Sequence, residues 1–497
     1  MTPVHKGLAR FDRALRYACP FLFLVVVLNL LYGMAHGPQW MWNEVRLAPG
    51  FSLAYGYRLY PGEHALAPIA GTLYSPIGHL LYAGLAFLHD PTEAIVAGCA
   101  LSMALYFIPL LWVHLGAAGE SRLIGLYGFL ACAALALAGR GTNYSAMNVH
   151  VDASAICASV LAAGIIAIGR TPFSRRALAI SAALAVLPVA CKQTMAPVPL
   201  ALAAFLLLAH GAKTFIRYVV LELAAGAAIG GAILLIFGPP RDLWFNVYWL
   251  ATHRPRIGGL PRVLEGLADA RLSLEAAAPA LVALAVMAWI GRTRGWRATL
   301  ADNRWLVFVV VALFELPFAL KAWITAGGDY NHLGVVTLFI ALAATAGLTM
   351  ARGPALTGLV QRALLAGIVG ATLPFPWNLR HALATVRDNP SEVAFRYEKR
   401  HPGRAYFPFN PLASLLASGH LTHFDVSLSE RAEAGCPITP AQFAAGLPPR
   451  FQLVAWPPTY DPPGSPSVIH LLQSMRPVHE PGLEGWHTFA RTGPAKE

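Results

Sequence analysis

The chain has 497 residues, of which 56% are hydrophobic and only 12% charged, and its mean hydropathy is +0.54. Soluble domains carry roughly 25% charged residues, so this composition excludes an ordinary soluble protein. The net charge of +12 does not indicate a nucleic-acid partner, because Arg and Lys sit mostly in short loops between apolar runs, which is the orientation signal of membrane proteins.

Apolar runs of roughly 20 residues mark spanning helices. They predict eleven, over about 17–35, 94–115, 122–139, 153–169, 177–191, 195–209, 218–237, 278–291, 304–323, 333–351 and 362–378. The first is read as a retained helix, since a Trp-rich segment and no small-residue cleavage site follows it. Lys6, Arg10, Arg13 and Arg16 place the N-terminus in the cytoplasm. The clusters at Arg170, Arg175 and Arg176, at Lys213 and Arg217, and at Arg292 to Arg304 fall on the same side only if Tyr74–His89 lies in the outer interface. Pro76, Gly78 and His79 suit that assignment. The outer loops are then 36–93, 140–152, 238–275 and 326–332, with a short Lys192-Gln193 step. Residues 1–378 form a transmembrane domain. Residues 379–497, with Pro457-Pro458 and Pro462-Pro463 as turn signals, form an extracytoplasmic C-terminal domain. Alternation over Phe451–Val454 and Val468–Leu472 predicts strands there. The expected fold is an all-α polytopic bundle with a small α/β C-terminal unit.

Almost every unusual polar residue gathers in the outer loops. Glu44, beside Asn43, is a carboxylate at the membrane–water boundary. Partial desolvation would raise its pKa toward the range useful for a general base; the alternative is a solvated interfacial acid. Arg58 is a candidate phosphate contact, while Tyr57 and Tyr60 suit either a pocket or an interfacial aromatic belt. Asp152 either caps a helix or forms a second acidic centre with His150. Lys192 and Gln193 break an apolar region into two helices, and an ion at that depth is a functional candidate; a snorkelling Lys is the alternative. Arg254, Arg256 and Arg262 add positive charge in the fourth loop, and Asp329, Asn331 and His332 cluster at a helix start. The cysteines support neither a disulfide framework nor a metal site.

In order and placement these segments resemble the bacterial C-type (GT-C) glycosyltransferases that take sugars from polyprenyl phosphates, such as the aminoarabinose, lipopolysaccharide-core and protein O-mannosyl transferases. The residues are Asn43-Glu44, Gly56 to Tyr60, Tyr74 to Pro76, His150 with Asp152, Lys192-Gln193, and Asn331-His332. The resemblance implies a multi-pass protein of the bacterial inner membrane, N-terminus inside and C-terminus periplasmic. It implies inverting transfer from a lipid-linked sugar donor to a hydroxyl of an envelope glycan, glycolipid or protein. Glu44 would be the catalytic base, Asp152 a supporting acid, and Lys192, Gln193, Arg58, Arg256 and Arg262 the donor-phosphate contacts. Asn43, Tyr60, Tyr74, His150, Asp329, Asn331 and His332 would line the substrate pocket. Asn43 and Val45 flank Glu44, so no two-carboxylate metal site is expected there, no metal ligand is assigned, and metal dependence stays open. The rival readings are a lipid-linked glycan flippase or transporter, which predicts mid-depth ions and internal repeats, and an envelope polymerase or ligase using a lipid-diphosphate donor.

Overall fold

The computed structural model of the chain describes residues 40–70, 73–119, 122–268, 295–350 and 389–491, with scattered positions within 17–28 and at Trp289. The predicted spans 278–291 and 362–378, and most of 17–35, lie outside the described residues.

The chain enters through α1 (Trp40–Ala54), a helix within what the sequence suggested was a loop. Next comes α2 (Ile77–Ala83), extended by a 3₁₀ turn over Gly84–Phe87. Those eleven residues (77–87) rise only about 16 Å and form an apolar helix too short to span. The bundle follows: α3 (Pro91–Ala118), α4 (Arg122–Ala138), α5 (Arg140–Met147), α6 (Val151–Ile168), α7 (Arg175–Cys191), α8 (Pro197–His210) and α9 (Ala212–Phe237). Short helices α10 (Pro240–Leu243) and α11 (Leu250–His253) flank a π-helical turn, and α12 (Trp296–Asp302), α13 (Leu306–Trp323) and α14 (Asn331–Met350) complete it. Among the described residues six helices are long and apolar enough to cross a membrane, and α4 with α5, bent by 105°, makes a seventh. The predicted span 177–191 is the 17-residue α7.

Helices α6 and α14 are central and mostly buried. Small residues allow close approach inside such bundles. At Gly334 of α14 an added Cβ would lie 2.7 Å from backbone atoms of Gly141 and Thr142. This draws the first turn of α5 against the start of α14.

Beyond the bundle lie α15 (Pro390–Arg400), α16 (Pro411–Ser418), α17 (Asp425–Glu433), α18 (Pro440–Ala445) and α19 (Pro466–Gln473). They pack with β1 (Ala405–Tyr406), β2 (Leu453–Trp456), β3 (Met475–Pro477) and β4 (His487–Arg491) in a sheet of order β1-β2-β4-β3. β1 runs parallel to β2, and the other pairs are antiparallel. The strand predicted over Val468–Leu472 is the helix α19 instead: Ser465 caps it and Pro466 occupies its first position. Those start signals outweigh the alternation. The stretch after α1 ties the two parts together, with Phe424 N–H donating to the Ile69 carbonyl (2.9 Å) and Arg431 to that of Glu63 (2.7 Å).

Candidate active site

Three helix ends converge at one end of the bundle: the start of α6, the end of α7 and the start of α14. Pro197 and the 3₁₀ turn Gln193–Met195 force a break after α7, leaving Lys192 as its C-terminal cap. Asp152 sits in the first turn of α6 and Asn331 opens α14. Lys192 Nζ lies 2.5 Å from Asp152 Oδ1, and Asn331 Nδ2 donates to Asp152 Oδ2 at 2.8 Å. Both ions are only 1% exposed. Either one alone would carry a large desolvation cost, so each requires the other. His150 caps α6, its Nδ1 accepting the Asp152 N–H at 3.1 Å. That bond leaves the ring proton on Nε2. Burial lowers the pKa of His150 to about 4, so the ring is a neutral donor.

Above this pair is a cavity of about 190 Å³, between the bundle end and α17. The bundle side contributes Trp42, Arg46, Tyr74, His79, Tyr144, His150, Arg254, Asp329, Asn331 and His332; the C-terminal side contributes Phe424, Val426, Ser427 and Glu430. Its charges differ in how they are matched. Arg254 bridges to Glu430 (3.0 Å) and Glu433 (3.4 Å). Arg46 donates to the Val149 carbonyl (3.2 Å) and the Tyr144 hydroxyl (2.5 Å), with the rings of Trp42 and Tyr144 at 5.7 and 5.1 Å. Asp329 accepts the Tyr330 N–H at 2.7 Å.

Of the residues expected in the pocket, Tyr74, His150, Asp329, Asn331 and His332 line this cavity. Asn43 and Tyr60 do not. Asn43 binds Asn148 (3.0 Å) and the Val149 N–H (2.8 Å), and Tyr60 donates to the Tyr74 carbonyl (2.7 Å).

Glu44 departs furthest from expectation. It is fully buried against the C-terminal unit, outside the cavity, with Ala413 N–H donating to Oε1 (2.7 Å) and Ser391 (2.7 Å) and Asn410 donating to Oε2. Helix geometry explains this. Neighbours on a helix point about 100° apart while residues three apart share a face. Asn43 accepts the Val149 N–H and Arg46 donates to the Val149 carbonyl, and Glu44 faces elsewhere.

The expected phosphate grip is also reassigned. The Lys192 charge is matched by Asp152, and Gln193 donates to the carbonyls of Leu73 (2.7 Å) and Val247 (3.1 Å). Arg58 is exposed away from the cavity. Arg256 pairs through its backbone with Thr325, while Arg262 stacks on Trp323 (3.9 Å) and meets Glu265 (2.9 Å). Sequence reasoning missed Arg46, Tyr144 and the whole wall from α17. For Arg46 the signal was present: a cation three residues after Asn43, on the same face of one helix.

Neither a protein-family model nor a curated protein matches the sequence. The fold does have solved counterparts. The crystal structure of ArnT from Cupriavidus metallidurans in the apo state superposes with a TM-score of 0.57 at 13% identity, covering 96% of this chain and 100% of that one. The same protein bound to undecaprenyl phosphate gives 0.57 at 12% identity, covering 95% and 98%. The chain therefore has a GT-C-like fold over nearly its whole length.

Proposed function

We propose that this chain is an integral membrane glycosyltransferase of the GT-C type. It takes a sugar from a polyprenyl-phosphate donor and passes it, with inversion, to a hydroxyl of an envelope glycan, glycolipid or protein. The reaction belongs on the outer face of a bacterial inner membrane, with the N-terminus cytoplasmic and the C-terminal unit periplasmic. The observation that carries the reading is the full-length likeness to ArnT, which has been crystallised with undecaprenyl phosphate. The cavity supports it: a partly polar chamber at the bundle end, roofed by the C-terminal unit.

In this reading the Asp152–Lys192 pair lies behind the cavity floor as a neutral support. It aims the Asn331 amide and the neutral His150 ring at the sugar, whose hydroxyls need donors and acceptors in fixed positions. The developing phosphate charge needs a preorganised cation. The cavity holds cations suited to that task without a metal ligand set being assigned.

The test uses the full-length protein in nanodiscs, supplied with undecaprenyl-phosphate sugars of several head groups and an envelope extract as acceptor. Label should move from donor to acceptor with release of undecaprenyl phosphate. Asp152→Asn should lower that transfer. Absence of transfer from every donor in the panel, or turnover only of lipid diphosphates, would overturn the reading.

A further inference from the structure

We propose that Arg46 and Asp329 are the reacting pair of this cavity: Arg46 binds the departing phosphate, and Asp329 takes the proton of the attacking hydroxyl. This rests on the glycosyltransferase reading and gives its chemistry to Arg46, to which the sequence assigned no role, and to Asp329, which the sequence placed only in the pocket wall.

The argument is one of matched and unmatched charge. Among the described residues that line the cavity, the other two charged groups match each other, Arg254 with Glu430 at 3.0 Å, and behind the floor Lys192 matches Asp152 at 2.5 Å. No carboxylate lies within ion-pair distance of Arg46, and no cation within that distance of Asp329, among the described residues. Both line the cavity. A guanidinium carries five N–H donors, and Arg46 directs two at Tyr144 and Val149. An unmatched guanidinium beside a cavity is an anion site, and its fork suits a phosphate. The aromatic rings of Trp42 and Tyr144 brace it without neutralising it.

Asp329 meets the complementary need. A general base must reach the proton it removes. Glu44 and Asp152 cannot, being buried outside the cavity. Asp329 is half-buried in the cavity wall, and among the described residues one donor, the Tyr330 N–H, meets its carboxylate. Gly327 and Gly328, just before it, let the loop carry it there; Gly327 takes a positive φ of 72°. The step balances. The acceptor O–H bond breaks and its proton goes to the Asp329 carboxylate. The oxygen's electron pair forms the new bond to the anomeric carbon from the face opposite the phosphate. The bond from that carbon to the phosphate oxygen breaks, and its electron pair stays on the phosphate, held by Arg46.

Two measurements on full-length protein in nanodiscs separate the roles. The first is binding of undecaprenyl phosphate alone, followed by tryptophan fluorescence, since Trp42 sits 5.7 Å from the Arg46 guanidinium. Arg46→Gln should weaken binding at least tenfold, and Asp329→Asn should leave it unchanged. The second is transfer: Asp329→Asn should lower kcat by about 10²-fold, within the range for loss of a general base, while leaving the binding of undecaprenyl phosphate as in the wild type. Where Arg46→Gln does not fold, Arg46→Lys keeps the charge and loses the fork; weakened binding supports the assignment and unchanged binding overturns it. Normal turnover by Asp329→Asn overturns the base. A wild type that transfers sugar while both variants match it refutes this inference alone; a wild type that neither binds undecaprenyl phosphate nor transfers refutes the parent reading.

Discussion

Replacing Glu44 separates two accounts of the same carboxylate. As a base it would lose about 10²–10⁴-fold in turnover on conversion to Gln. The structure instead makes it a clamp between α1 and the C-terminal unit, with donors from Ser391, Asn410 and Ala413 converging on it. Glu44→Ala would strand three buried donors at about 1–3 kcal/mol each, a loss of at least about 3 kcal/mol in docking. Glu44→Gln should be mild. Its oxygen can keep the Ala413 N–H, and its amide can donate to Asn410 Oδ1, a buried oxygen with no partner among the described residues.

The protonation behaviour sharpens the test. Burial raises the Glu44 pKa from 4.5 to about 7, outweighing the three donated bonds. A raised carboxyl pKa means the docked state holds a proton that the undocked state releases. Its stabilisation is therefore fullest near pH 4.5 and is lost as pH rises through 7. At about 1.4 kcal/mol per pKa unit, the change over that window is on the order of 3 kcal/mol. Hydrogen exchange at residues 389–418, followed from pH 4.5 to 8, should show protection falling with pH in the wild type and level in Glu44→Gln. A well-folded Glu44→Gln whose turnover falls a hundredfold would refute the clamp and restore the base.

Lys192→Ala should strand Asp152 and destabilise by about 3–5 kcal/mol, read as a large drop in melting temperature, while Asp152→Asn with Lys192→Met should recover most of it. Gly334→Ala should drive a methyl against the Gly141–Thr142 backbone, costing about 1–3 kcal/mol and lowering turnover by displacing Asn331; melting and transfer assays read both. A reporter fused after Arg176 should read cytoplasmic and one after Arg380 periplasmic, and the same side for both would refute the eleven-span topology.

The bundle was legible because membrane insertion imposes its own length and composition on each helix, so α3, α6, α9, α13 and α14 stand out as apolar runs. The gathering of polar residues at one end was legible for a related reason: hydrocarbon disfavours them, and within the spans few ionisable groups such as Glu222 and Glu315 interrupt the apolar runs. Roles within that end were not legible, because they depend on pairings across long stretches of chain. Glu44 bonds to residues 347 to 369 positions away, and nothing local distinguishes a carboxylate facing water from one facing the start of α16. Lys192 looked like an anion grip until its partner Asp152, on another helix, was seen to match its charge. Local helical phase was the one clue available in advance. Within Asn43-Glu44-Val45-Arg46 the period places Asn43 and Arg46 together and Glu44 apart. Treated as a loop, those four residues point to the acid; treated as the helix they form, they point to Arg46, the charged residue among them that lines the cavity.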